Sequence, residues 1–190
     1  MPQTRRVSPW WILTPSASRA NIPVSAHPEA LEIDLHNQRI FANIADSNEI
    51  AVLDGNGKVV TGIWKLENAG HNVPIAYDAV KHLLYVACRT PAILLVLDAA
   101  TGKEISRIAT AEGADDLFYD TELHRVYVTS SAGEVDVYQV DDKASLRSLG
   151  IVRTAAGAKT ALFVPSQSRL YVGIPGINAK PAEIRIYSTN

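Results

Sequence analysis

The hydrophobic pattern along this chain consists of short runs in which apolar and polar residues alternate. Four of these runs share one plan, a five-residue segment with an aromatic residue at its centre, and they cover residues 39–43, 83–87, 125–129 and 169–173. The central residues are Phe41, Tyr85, Tyr127 and Tyr171, which lie 44, 42 and 44 residues apart. Alternation with a period of two predicts β-strands. A regular spacing of this length predicts a repeat architecture.

Each repeat contains further strand-like segments around the aromatic one. We name the strands of a repeat a to d in chain order, the aromatic segment being strand b. Strand a is expected at 27–34, 73–78, 116–120 and 161–164, strand c at 49–53, 93–97, 134–138 and 183–187, and strand d at 59–66, 104–109 and about 149–153. Asp54 and Asp98 open the c–d turns of the first two repeats, and the Gly and Asn residues that follow Asp54 favour a tight hairpin.

These repeats predict an all-β fold of the β-propeller class. We expect four blade-like units of four antiparallel strands each, arranged as a partial propeller or an open arc. The units span approximately 27–70, 71–112, 113–156 and 157–190, within a repeat region that covers 20–190. In such an arrangement the aromatic centres Tyr85, Tyr127 and Tyr171 are expected to be buried between neighbouring blades.

The fourth repeat contains no segment that reads as strand d, so its outer edge needs a partner. Residues 21–24 precede the first strand a, where a strand d is expected, and they could complete the fourth blade or belong to a preceding one. Blades shaped for a seven-bladed ring sweep about 51° each, so four of them cover only about 206°. We therefore expect an open arc for an isolated chain and a homodimer that completes a ring for the purified protein, ahead of a closed four-bladed ring.

Composition and charge narrow the range of partners. The chain has 190 residues, 18 basic and 20 acidic, with a formal net charge of −2, which gives no electrostatic basis for binding nucleic acid. No apolar run approaches the roughly 20 residues of a membrane-spanning helix. The single cysteine, Cys88, cannot form an intrachain disulfide. Residues 1–19 form an irregular leader that resembles a weak secretory signal, but its apolar patch, 10–13, is short and flanked by prolines.

The repeats resemble the YVTN-type β-propeller family. The matching segments are the Tyr-Val pairs that begin at Tyr85, Tyr127 and Tyr171 and the Asp98 turn with its Thr-Gly-Lys sequence at 101–103. Such propellers usually have about seven blades, so the resemblance implies that this chain corresponds to the C-terminal four blades of a larger propeller. Members of such families are often exported, which leaves the compartment of this chain open because its leader is unconvincing. The resemblance implies a fold more than a function.

A propeller brings its d–a and b–c connections to one face, close to the axis. We expect this axial face to carry the binding residues, and the candidates on it are His27, His71, Asn72, Arg89, Asp115, Asp116 and Lys159. His27 and His71 occupy equivalent places 44 residues apart. Other repeated polar residues have a structural explanation: Asp34, Asp78 and Asp120 each precede an a–b turn, whose amides they are expected to bind.

Two classes of function fit these candidates. The first is a non-catalytic binding or interaction module that uses the axial face for a protein or small-molecule ligand, with no cofactor or metal. The alternative is a propeller enzyme of the lactonase or sugar-oxidising kind. It would use the two histidines with a metal, or the Asp115–Asp116 pair as an acid and base. The sequence contains no glycine-rich phosphate loop and no set of residues with the spacing of a known catalytic motif, so the binding module is the preferred hypothesis.

Overall fold

The computed structural model describes residues 21–56, 58–177 and 180–190, and within them the chain forms fifteen β-strands in four separate antiparallel sheets. The expected all-β fold is confirmed. The leader at 1–19 lies outside the described residues. The strands are β1 (Pro28–Asp34), β2 (Arg39–Ile44), β3 (Glu49–Asp54), β4 (Val60–Lys65), β5 (Gly70–Asp78), β6 (Leu83–Thr90), β7 (Ala92–Asp98), β8 (Glu104–Ala109), β9 (Ala114–Asp120), β10 (Arg125–Ser130), β11 (Glu134–Val140), β12 (Leu146–Arg153), β13 (Ala161–Val164), β14 (Arg169–Ile174) and β15 (Glu183–Ser188).

Each sheet is a blade whose strands follow one another in chain order. Blade 1 comprises β1–β4, blade 2 β5–β8, blade 3 β9–β12 and blade 4 β13–β15. The fourth blade therefore has three strands in the described part of the chain rather than four. The only helical segments described are two 3-10 turns, Ala45–Ser47 between strands b and c of blade 1 and Pro165–Gln167 between strands a and b of blade 4.

Aspartates hold the turns at the ends of strands a and c, as the repeat pattern predicts. Asp78 Oδ1 accepts hydrogen bonds from the backbone amides of Val80 and Lys81, at 2.8 and 3.1 Å. Asp34 and Asp120 make the equivalent turn contacts. The amides of 58 and 59 donate to Asp54, and those of 100 and 101 donate to Asp98. These residues are thereby committed to local structure.

Stacking of the blades is set by the alternation of side chains along strands b and c. In each of the first three blades, the aromatic centre of strand b points towards the following blade. There it contacts an aromatic residue of that blade's strand a, at ring-centroid distances of 5.7, 4.8 and 5.4 Å for Phe41–Tyr77, Tyr85–Tyr119 and Tyr127–Phe163. Three clusters of buried apolar residues consequently join blades 1 and 2, 2 and 3, and 3 and 4.

Tyr171 differs from the other aromatic centres, and this corrects the expectation that it is buried. It also points away from the preceding blade, but no described blade follows, so the ring is partly exposed and its hydroxyl donates to Gln167 Oε1 at 2.8 Å. Tyr85 and Tyr127, in contrast, are 0% and 3% exposed. Burial at this position thus requires a following blade.

Residues 21–26 do not complete the fourth blade, which corrects one of the two placements considered for them. Ile22, Val24 and Ala26 instead lie against the face of blade 1 that is turned away from blade 2. None of the four clusters of buried apolar residues found in the described ranges joins blade 4 to blade 1. The isolated chain is therefore an open arc of blades.

Candidate functional site

A broad depression of about 750 Å³ lies between blades 1 and 2, on the face formed by the d–a and b–c connections. It is lined by Asn48, Leu66, Asn68, Ala69, Gly70, His71, Thr90 and Pro91. Leu66, Ala69 and Pro91 give it apolar surface, and the other side chains that line it offer amide, imidazole and hydroxyl groups. These lining residues include no Asp, Glu, Lys or Arg. The depression is within the range of about 300–1,000 Å³ that small-molecule sites occupy.

Three residues of this depression have a left-handed backbone. Asn48, Asn68 and His71 have φ angles of 52°, 50° and 53°, a conformation that is uncommon for residues other than glycine. At the place of His71, the next two repeats have Gly113 and Gly157, with φ angles of 74° and 79°. An imidazole therefore stands where the two following repeats place glycine. Backbone outliers of this kind concentrate at functional sites.

Close backbone packing fixes the position of His71. Its amide donates to Asn48 Oδ1 at 2.9 Å, which ties the b–c connection of blade 1 to the start of strand β5. A Cβ atom at the neighbouring Gly70 would lie 2.4 Å from the same oxygen. Glycine is thus required at 70 for the Asn48 side chain to reach the His71 amide. The histidine ring is presented by a braced segment.

On the same face of the propeller, three charged candidates form a cluster across blades 2, 3 and 4. Arg89 Nη2 lies 2.6 Å from Asp115 Oδ1, and Lys159 Nζ lies 3.1 Å from the same oxygen. Arg89 Nε also donates to the carbonyl oxygen of Ala114 at 2.8 Å. One carboxylate is therefore shared by two cations, and the arginine is held rigidly. Partly exposed ion pairs of this kind contribute little to stability, about 0–1 kcal/mol.

The structure does not bring the remaining candidates into this cluster. Asp116 Oδ2 accepts a hydrogen bond from the Ala161 amide at 2.7 Å, and burial raises the pKa of its carboxyl. Asn72 is 0% exposed and donates to the carbonyl oxygen of Glu49 at 3.0 Å, so it lies inside the blade junction and is not accessible to a surface ligand. His27 is exposed and lies 4.0 Å from a Glu29 oxygen.

The described ranges contain no group of three or more His, Cys, Asp and Glu residues that could hold a metal ion. No helix within those ranges is long and apolar enough to cross a membrane. Cys88 is fully buried, and burial raises the pKa of its thiol to about 12. The thiol is consequently protonated at neutral pH and is a poor nucleophile.

The sequence singled out His71, which lines the depression, but did not single out Asn68 and Thr90, which line it too. Asn68 carries a recognisable signal, because asparagine is one of the few residues that adopt a left-handed backbone readily. Thr90 precedes a proline in a b–c connection, and nothing in the pattern of residues distinguishes it. Its place at the rim follows from how blades 1 and 2 meet.

No protein-family model matches the sequence, and no curated protein does. Solved structures do. A chain of the mitotic checkpoint complex matches with a TM-score of 0.71 and 10% identity, over 87% of this chain and 51% of that one. Hydrazine synthase from Kuenenia stuttgartiensis matches with a TM-score of 0.68 and 15% identity, over 80% of this chain and 43% of that one. A proposed 6-phosphogluconolactonase from Bacteroides fragilis matches with a TM-score of 0.67 and 16% identity, over 77% of this chain and 47% of that one.

These likenesses define the class of fold. The chain is an all-β, β-propeller-like repeat protein, and it spans about half the length of the structures that it matches. At 10–16% identity the likeness concerns the fold alone. The three descriptions name different activities and assemblies, and unrelated functions on one fold are common.

Proposed function

We propose that this protein is a non-catalytic binding module, built from YVTN-type repeats, whose ligand occupies the axial depression between blades 1 and 2. The observation that carries the proposal is the coincidence of two features at one place. The depression lies on the face where we expect the binding residues, and three of the residues that line it have a left-handed backbone without being glycine. The Tyr-Val strands and the Asp98 turn support the assignment of the repeats.

The chemistry of the depression favours a neutral ligand with hydrogen-bonding groups. The side chains of Asn68, His71 and Thr90 can donate and accept hydrogen bonds, and Leu66 and Pro91 provide an apolar surface. A small polar molecule or the backbone of an extended peptide meets both requirements. The Arg89–Asp115–Lys159 cluster lies on the same face, towards blades 3 and 4, and does not line the depression.

The test uses His71→Gly, because the equivalent positions 113 and 157 are already glycine and the fold accommodates that residue there. Wild-type protein is screened by ligand-observed NMR against a library of neutral fragments and short peptides. We expect hits whose binding is lost in His71→Gly and retained in Val80→Asp, a control at an exposed turn residue. A library with no such hits would contradict the proposal.

Wild-type protein and His71→Gly also test the enzyme hypothesis. A purified sugar lactone is supplied as substrate, and hydrolysis is followed by the release of protons. Turnover by wild-type protein that is abolished in His71→Gly would replace the binding module with a propeller enzyme. Turnover that persists in His71→Gly would place any catalysis elsewhere, and we expect no turnover above the uncatalysed rate.

A further inference from the structure

The two ends of the blade arc present apolar faces that have the chemistry of blade interfaces. The trailing face is the side of blade 4 turned away from blade 3, and it is formed by Leu162, Tyr171, Ile184 and Ile186. The leading face is the side of blade 1 turned away from blade 2, and it is formed by Leu31, Ile33 and Ile63 beside residues 22–26. The aliphatic residues named on the two faces, Leu31, Ile33, Ile63, Leu162, Ile184 and Ile186, are all exposed.

Repeat equivalence shows that the trailing face is an interface without its partner. Ile184 pairs with Gly173 on strand b, and the residues at the same place in the other blades are Ile50, Leu94 and Val135. Those three are 0%, 0% and 1% exposed, whereas Ile184 is 71% exposed. The residue type is maintained while the burial is lost. Contiguous apolar surface of this kind marks an interaction site.

The leading face carries the matching half of the same interface. Leu31 is 59% exposed, but its equivalents Ile75 and Leu117 are 5% and 6% exposed because a preceding blade covers them. Ile33 is the equivalent of Tyr77 and Tyr119, the strand-a residues that receive an aromatic ring from the preceding blade. Ile33 therefore has the position that would receive a ring such as that of Tyr171.

Residues 22–26 cover part of the leading face in the same way that later segments of the chain pack at the internal blade junctions. Ile22 packs on blade 1. Leu66 and Ile108, which follow it at the repeat spacings of 44 and 42 residues, pack into the junctions between blades 1 and 2 and between blades 2 and 3. The same repeat position thus packs at each of these two internal junctions and again on the leading face. What this face lacks is the sheet of a preceding blade.

We propose that the trailing face of one chain docks on the leading face of a second copy, and that two copies close an eight-bladed ring about a twofold axis. Each copy supplies the residue types that the other lacks, because both faces derive from the same repeat. Propellers commonly have about 4–8 blades, so the ring is of ordinary size. The contact is head-to-tail, and closure prevents it from propagating into a filament. The proposal does not depend on the ligand proposed above.

The test uses one variant for each face and a matched control. Ile184→Asp alters the trailing face, Leu31→Asp alters the leading face, and Val80→Asp alters a residue that is 81% exposed in an a–b turn. All three side chains are exposed in the single chain, so circular dichroism and the melting temperature of the monomer should be preserved. A carboxylate within either apolar contact should weaken dimerisation by more than about 100-fold.

Size-exclusion chromatography with light scattering measures the outcome. Wild-type protein and Val80→Asp are expected at about twice the 20.6 kDa mass of the chain, and the two interface variants at the monomer mass. An equimolar mixture of Ile184→Asp with Leu31→Asp should recover dimer, because one intact trailing face then meets one intact leading face. A contact between two trailing faces would leave Leu31→Asp dimeric by itself, and Ile184→Asp would stay monomeric in the mixture.

Several results would overturn the proposal. A monomeric wild-type chain would leave both faces to another partner, such as further blades of a longer chain. A Leu31→Asp variant that stays dimeric would show that the leading face is not used. Masses above the dimer that grow with concentration would show an open head-to-tail chain instead of a closed ring.

Discussion

The aromatic centre of strand b should stabilise a blade only when another blade follows it. Tyr127 tests this rule because it is 3% exposed, contacts Phe163 at a ring-centroid distance of 5.4 Å, and packs in the cluster that joins blades 3 and 4. Its hydroxyl also donates to Asp120 Oδ2 at 3.3 Å. Removing a buried aromatic ring costs about 3–5 kcal/mol, so Tyr127→Ala should lower the free energy of unfolding by that amount.

Two further variants distinguish burial of the ring from the hydrogen bond of the hydroxyl and from the presence of a following blade. Tyr127→Phe keeps the ring and removes only the long hydrogen bond to Asp120, which should cost about 1 kcal/mol or less. Tyr171→Ala removes the equivalent ring from blade 4, where it is partly exposed, and should cost about 1–2 kcal/mol. All variants are compared in the Leu31→Asp background, in which the proposed dimer does not form and Tyr171 stays uncovered.

Urea unfolding followed by far-ultraviolet circular dichroism measures these differences. With a denaturant dependence of about 2 kcal/mol per molar urea, Tyr127→Ala should lower the unfolding midpoint by about 1.5–2.5 M. A loss below about 1 kcal/mol for Tyr127→Ala would mean that blade junctions do not hold the arc together. Equal losses for Tyr127→Ala and Tyr171→Ala would refute the rule that a following blade is required.

Three other predictions follow from the site and the turns. His71→Gly should leave stability unchanged or raise it by up to about 1 kcal/mol, whereas Gly157→Ala, at φ 79°, should lose about 1–2 kcal/mol, both measured by urea unfolding. Hydrogen bonds from Thr101 lower the pKa of the Asp98 carboxyl, so the contribution of Asp98 to stability is present above about pH 4 and is lost below it. The difference in unfolding free energy between pH 7 and pH 3 should therefore be smaller for Asp98→Asn than for the wild-type protein. Cys88 should react with a thiol reagent only in urea, since burial raises its pKa to about 12; fast labelling of the native protein would contradict this.

Some features of the candidate site followed from position in the repeat. Because a propeller brings d–a and b–c connections to one face, residues such as His71, Asp115 and Lys159 could be assigned to that face without coordinates. The contacts among them could not be assigned in the same way. Arg89 reaches Asp115 across a blade junction, and Asn72 turns into the interior, because side-chain direction at a junction depends on how two sheets meet.

The repeat pattern by itself determined the all-β class, the four units and the positions of strands b and c. It did so because strand alternation and turn chemistry are local properties, and each repeat states them again. The Asp78 turn illustrates this, since its hydrogen bonds involve amides only two and three residues away.

Only the tertiary structure decided which residues are buried and which faces remain open. Tyr85 and Tyr171 are the same residue in the same local sequence, yet one is fully buried and the other is partly exposed. The sequence likewise left open whether residues 21–24 complete the fourth blade or belong to a preceding one, and only the structure shows residues 22–26 packed on blade 1. Burial at these sites is a property of two blades in contact. A local pattern describes one blade at a time and so carries no information about its neighbour.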